Sequence, residues 1–122
     1  MPWYAVSTIM HVRLLGRSQD RFRIWENVIL IEAKDQQSAA REGERLGSED
    51  ARTSSDGLTW EGARAEWVFD GVRKVVKVAS ADPDSSPPTH GDEVTYSEFE
   101  VSNESVIRDL ARGRQVSVDY LK

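Results

Sequence analysis

The chain has 122 residues, 39% of them apolar, which is enough for one hydrophobic core but not for two. It contains no cysteine, so disulfides, thiolate zinc sites and cysteine nucleophiles are excluded and no oxidising compartment is required. A net charge of −5 disfavours general nucleic-acid binding, which phosphate neutralisation drives, and suits solubility or a basic partner.

From the N-terminus, WYAVSTIMHVRL alternates, with Tyr4, Val6, Thr8, Met10, Val12 and Leu14 on one face and Ala5, Ser7, His11 and Arg13 on the other. Period-two alternation predicts a half-buried strand. The start lacks the basic, apolar and small-residue zones of a secretory signal, and no apolar run approaches the roughly 20 residues of a bilayer span. A cytoplasmic setting without membrane contact is therefore expected. GRSQD (residues 16–20) is a connector, and RFRIWENVILIEAK is the expected hairpin partner of the first strand. Because Val28 to Ile31 is apolar on both faces, that second strand reads as central and doubly covered, or as shifted in phase by a bulge near Glu26 and Asn27.

Asp35 is placed to cap a helix. Ala39, Ala40, Gly43, Leu46 and Gly47 then recur at helical spacing opposite Gln36, Gln37, Arg41, Glu44 and Arg45. The small stripe predicts close approach of helix to sheet, although glycine costs about 1 kcal/mol of helix propensity relative to alanine. GSEDARTSSDG reads as a polar connector. In LTWEGARAEWVFDGVRKVVKVA, Ala63, Ala65, Trp67 and Phe69 have one parity, and Val72, Val76 and Val78 the other. A parity change across Gly71 predicts a bulge, giving two strand pieces or one bent strand.

Residues 82–92, DPDSSPPTHGD, read as a flexible loop, and EVTYSEFEV as another alternating strand. SNESVIRDLARG predicts a short helix capped by Ser102 or Asn103 and ended by Gly113, followed by a strand-like tail, so that residues 102–122 form a C-terminal helix plus tail. The expectation is a single α+β domain over residues 1–122. It has a mainly antiparallel sheet, one helix packed on a face and a second short C-terminal helix. A sheet covered on one face also predicts a homodimer through the other.

Several of these words resemble a family of small bacterial proteins known as domain of unknown function 4288: WYAV at the start, WENVILIEAKDQQSAA, FDGV at Phe69 to Val72, and GDEVTYSEF at Gly91 to Phe99. The resemblance covers the chain to about Phe99 and implies no activity. The proline-rich insert and everything after Val101 depart from the family pattern and are candidates for what is particular to this chain.

Signatures of chemistry are missing. His11 and His90 are isolated and supply no clustered metal ligands. GxSxG, GxxxxGK[ST] and GxGxxG are absent. No metal or cofactor is expected, and no residue is assigned a catalytic role. Charge is more informative. Arg13, Arg17, Arg21 and Arg23 concentrate on the first hairpin, whereas Asp82 to Glu104 carries seven acids and no lysine or arginine. These features favour a non-catalytic protein-binding module, in its most specific form an immunity or antitoxin-like inhibitor covering a basic partner through Asp92, Glu93, Tyr96, Glu98, Glu100 and Trp60. Trp60, after a polar loop, is expected to be partly exposed. The alternative is a small enzyme or ligand-binding protein with a pocket at Glu26, Trp25 and His11, where desolvation of Glu26 would raise its pKa. The bland reading of Glu26 is a structural pair with an arginine such as Arg13 or Arg64.

Overall fold

A computed structural model describes residues 1–79 and 87–122. Its main sheet contains β1 (Trp3–Leu14), β2 (Ile24–Glu32), β3 (Thr59–Trp60) and β4 (Ala63–Lys77), in the order β2-β1-β4-β3 with neighbouring strands antiparallel. Helix α1 (Gln36–Ser54) follows β2, and β5 (Phe99–Glu100), α2 (Glu104–Ala111) and β6 (Asp119–Tyr120) complete the described elements. The fold is α+β, a mainly antiparallel sheet with one main helix and a second short one. No described helix is long and apolar enough to cross a membrane.

β1 is the axis of the sheet because both its edges are hydrogen-bonded. Its alternation sends Tyr4, Val6, Met10 and Val12 into the core, where all four are buried. Directly paired residues share a face, so Ile31 and Ile29 of β2 stand beside Tyr4 and Val6, and Val75, Val72 and Phe69 of β4 beside Val6, Thr8 and Met10. That is the face α1 covers. Since β2 and β4 both run antiparallel to β1, they are parallel to each other, and α1 makes the crossover between them.

The Asp35 carboxylate accepts from the Ser38 amide at 2.7 Å, capping α1 as expected. The Ser38 backbone and side-chain hydrogen bonds hold its carboxyl below the usual value. The helix then continues beyond the expected stop at Gly47, through Ser54. Ala51 explains the extension: Ala39, Gly43, Gly47 and Ala51 are spaced by four, and the three of them other than Gly47 are buried. A side-chain carbon on Gly43 would lie 2.5 Å from Val6 Cγ1, and one on Gly47 would overlap the Phe69 ring. Both helix ends are tied to β4. Gln36 Nε2 donates to the Val75 carbonyl at 3.2 Å, and Ser55 Oγ accepts from the Trp67 amide at 2.8 Å.

β2 differs from expectation. It is an edge strand in unbroken register with β1 from Trp3↔Glu32 to His11↔Ile24, without a bulge at Glu26. Its apolar run is covered on one side only, leaving Val28 44% and Leu30 45% exposed. The predicted bend in β4 is present as one long strand with two register shifts, and Gly71 there has φ +148°. The first shift brings Val72 to the helix side with Phe69. The second returns Val76 to the other face, opposite Ala5, so the expected common face of Val72 and Val76 does not form. The β3–β4 hairpin turns on Glu61 (φ +52°) and Gly62 (φ +76°), the left-handed pair that two-residue hairpins require.

Of the expected loop at 82–92, residues 82–86 lie outside the described residues. Thr89 and Asp92 form a small turn, with the Asp92 carboxylate accepting from the Thr89 amide at 2.8 Å. The expected strand over residues 93–101 shrinks to a bridge between Ala79 and Glu93 and the short β5. α2 forms as expected, with the Asn103 side chain accepting from Ser105 and Val106 amides. The tail joins β5 through β6 rather than entering the main sheet.

The close helix contact sets a test. Gly43→Ala gains helix propensity but must displace the fully buried Val6, so it is expected to destabilise by about 1–3 kcal/mol in urea unfolding. Gly43→Ala combined with Val6→Ala should recover part of that loss, whereas Glu44→Ala on the exposed face should stay within about 0.5 kcal/mol of the parent.

Candidate functional site

The face of the sheet away from α1 carries most of the charged side chains of the strands. The two shifts in β4 place Asp70, Arg73 and Lys74 on it, beside His11, Glu26 and Ser7 of the neighbouring strands. The C-terminal segment crosses this face. Tyr120 Oη donates to Glu26 Oε1 at 2.9 Å, Arg73 Nη1 stands 3.6 Å from Glu26 Oε2, and the Arg73 guanidinium lies 3.8 Å above the Tyr120 ring. Glu26, Arg73 and Tyr120 thus form one lock between sheet and tail. Nearby, the Lys74 ammonium donates to the Tyr96 carbonyl and sits 5.0 Å from its ring. Tyr96 and Leu121 line a shallow cleft against Arg73 to Val76.

The alternative trio is not gathered in one place. Glu26 shares parity with Ile24, Val28 and Leu30, and that parity faces away from α1, where its carboxylate is held by Tyr120 and Arg73. Its arginine partner is Arg73, not Arg13 or Arg64, because Arg13 is paired with Glu66 and β4 bulges Arg73 outward. His11 shares that face but binds Asp70, Nδ1 to Oδ2 at 2.7 Å, with the Phe22 ring edge-on at 5.7 Å. Trp25 points to the opposite face and packs edge-on against Trp60 at 5.8 Å and Trp67 at 4.8 Å. Among the described residues no three His, Asp or Glu side chains converge in a way that could hold a metal ion.

The expected partner-binding residues divide into two groups. Tyr96, Glu98 and Glu100 are all exposed and lie along β5 and the segment before it, with Asp92 and Glu93 upstream. The Glu98 backbone carbonyl accepts from Leu121 at 2.8 Å and its amide donates to the Lys122 carbonyl at 2.8 Å, leaving the carboxylate outward. Phe99 stacks on Tyr120 at 5.1 Å. Trp60 is elsewhere, half-buried beside Trp25 with the Arg23 guanidinium 5.4 Å from its ring.

That second location is a cleft of about 500 Å3 at the β1–β2 turn, whose lining includes Leu14, Phe22 and Trp60 together with Arg17, Arg21 and Arg23. Gln19 holds the turn in shape. Its amide nitrogen donates to the Val12 carbonyl at 2.9 Å, and its oxygen accepts from the Leu14 amide at 3.2 Å. Sequence reasoning registered these arginines as a charge cluster without seeing the cleft. It gave Arg73 and Tyr120 no role: alternation through Val116, Val118 and Tyr120 sets Tyr120 on one side of the tail, but nothing local links it to Arg73.

Comparison with known families adds one match. The family model for the domain of unknown function DUF4288 matches residues 3–95. The chain belongs to that family. The match spans β1 to β4 and α1 and ends just before Tyr96, so the segment that locks onto Glu26 and Arg73 lies outside it. No curated protein and no solved structure matches the chain.

The lock generates a prediction. Tyr120→Ala removes a hydrogen bond to a carboxylate and a cation–π contact, interactions of roughly 1 kcal/mol or more each. Amide exchange over residues 96–122 should then accelerate by about tenfold or more, since about 1.4 kcal/mol corresponds to a factor of ten. Glu26→Gln keeps an acceptor and should give a smaller increase, and β1 amides should be unaffected in both.

Proposed function

We propose that this chain is a non-catalytic protein-binding module whose C-terminal segment presents an acidic, aromatic surface to a basic partner. The observation that carries the reading is the composition of the β5–β6 pair and its approach. Tyr96, Phe99 and Tyr120 are 42%, 41% and 39% exposed; pairing of Phe99 with Tyr120 and of Glu100 with Asp119 puts the acids on the face opposite that aromatic pair, and the exposed Glu98 and Glu100 have no basic side chain within 4.0 Å among the described residues. Aromatic anchors rimmed by like charge are what a charged partner surface selects, with the aromatics supplying affinity and the charge supplying encounter rate and specificity. The segment is held to the sheet by the Tyr120 lock, so little order has to be acquired on binding. The most specific form of the proposal is an immunity or antitoxin-like inhibitor, in which this surface covers the basic site of a toxin.

The test is affinity capture from native extract at low salt, followed by measurement of the captured complex. A stoichiometric basic partner is expected, with affinity falling as ionic strength rises. Glu98→Lys with Glu100→Lys should weaken binding by about tenfold or more, on the order of 1.4 kcal/mol. Retention of full affinity by that double variant would refute the reading.

A second reading, self-association, is favoured by one feature. Among the described residues β2 is an unpaired edge strand whose outward residues Ile24, Val28 and Leu30 are 62%, 44% and 45% exposed, and an unpaired apolar edge is a template for strand addition. Sedimentation velocity should show a concentration-dependent dimer that Val28→Lys abolishes; a monomer across the micromolar range would remove this reading.

A further inference from the structure

We propose that the cleft at the β1–β2 turn is a binding site for a small organic phosphate of nucleotide size. It is separate from the acidic C-terminal surface and does not depend on that surface having a partner.

The volume is appropriate. About 500 Å3 falls within the roughly 300–1,000 Å3 typical of small-molecule sites. The charge is local and contrary to that of the whole molecule. In a chain of net charge −5, Arg17, Arg21 and Arg23 converge on this one mouth, opposed only by Asp20 and Glu61 along its lining. Among the described residues none of the three guanidinium groups has a carboxylate oxygen within 4.0 Å, in contrast to Arg13, Arg45, Arg73 and Arg114. Three planar forks supply more donors than one carboxylate accepts, whereas a phosphate presents three terminal oxygens and matches the fork geometry.

The cleft is also prepared in advance. The two Gln19 hydrogen bonds pin the turn that carries Arg17 and Arg21 to the end of β1. Arg23 rests on the Trp60 ring at 5.4 Å, and Trp60 is itself braced edge-on by Trp25 at 5.8 Å. Such bracing reduces the side-chain entropy lost when an anion binds. Within a mainly polar lining, Leu14, Phe22 and Trp60 supply the accessible apolar surface, including two aromatic rings, so the anion held by the arginines has an aromatic or apolar body beside it. A bare inorganic anion would leave those rings uncovered.

Calorimetric titration of the full chain with ADP, pyrophosphate and adenosine separates the two components. ADP is expected to bind saturably at one site and more tightly than either fragment, with affinity falling as salt rises. Arg17→Ser with Arg21→Ser should weaken ADP at least tenfold. Both residues are exposed, so the thermal unfolding midpoint should be unchanged. Absence of saturable ADP binding up to millimolar concentration would overturn the proposal. So would ADP binding no tighter than adenosine or pyrophosphate, or an unchanged ADP affinity in the double variant with its unfolding midpoint intact.

Discussion

The contact between α1 and β1–β4 through Gly43 and Gly47 is the constraint on which the rest depends. Apolar side chains ordinarily separate a helix from a sheet, but here the helix brings only hydrogens to Val6 and Phe69 at those two positions. The sheet must therefore supply the bulk, and Val6, Val72 and Phe69 do so. Such an interface tolerates little change in either layer, since dense packing leaves no room for an added carbon. Ties at Gln36 and Ser55 fix the helix lengthwise along β4, which in turn fixes the position of the bulges relative to β1.

Those bulges decide what the face away from α1 can do. Two register shifts over a few residues break strict alternation, so Asp70, Arg73 and Lys74 stand on one face while Phe69, Val72 and Val75, partly buried, stay on the side of α1. Asp70 then meets His11, Arg73 meets Glu26, and Lys74 meets Tyr96. A regular strand would have divided these charges between core and surface, where an unpaired buried charge is costly. The bulge thus serves core packing and surface charge placement together.

The family match takes in β1 to β4 with α1, and the segment from Tyr96 onwards lies beyond it. That segment docks by a carboxylate, a guanidinium and a phenol, and most of its large side chains stay partly exposed. A polar attachment with exposed aromatics suits a surface that engages something else. The opposite sign of charge at the β1–β2 turn gives the molecule a polarity that its net charge conceals, and it separates the two candidate surfaces chemically.

Local pattern sufficed for much of this chain. The alternation of Tyr4 to Leu14, the Asp35 cap, the small stripe of α1, the parity change at Gly71 and the Asn103 helix are all written within short windows, because periodicity and capping depend on neighbours a few residues apart. Composition alone also set the acidic character of residues 92–104 apart from the basic hairpin. Other features required the tertiary structure. Val28 to Ile31 reads as a central strand or one shifted by a bulge, yet it is an edge strand in unbroken register, since apolar content does not say which neighbours arrive. The helix passes Gly47 and its four-residue stripe ends on the buried Ala51, a burial no propensity encodes. The partner of Glu26 is Arg73, 47 positions away in the sequence, and the phenol that completes the pair comes from the chain's last residues. Side chains that distant meet only after register, bulges and docking are settled, so the lock and the arginine cleft belong to the fold rather than to any stretch of sequence.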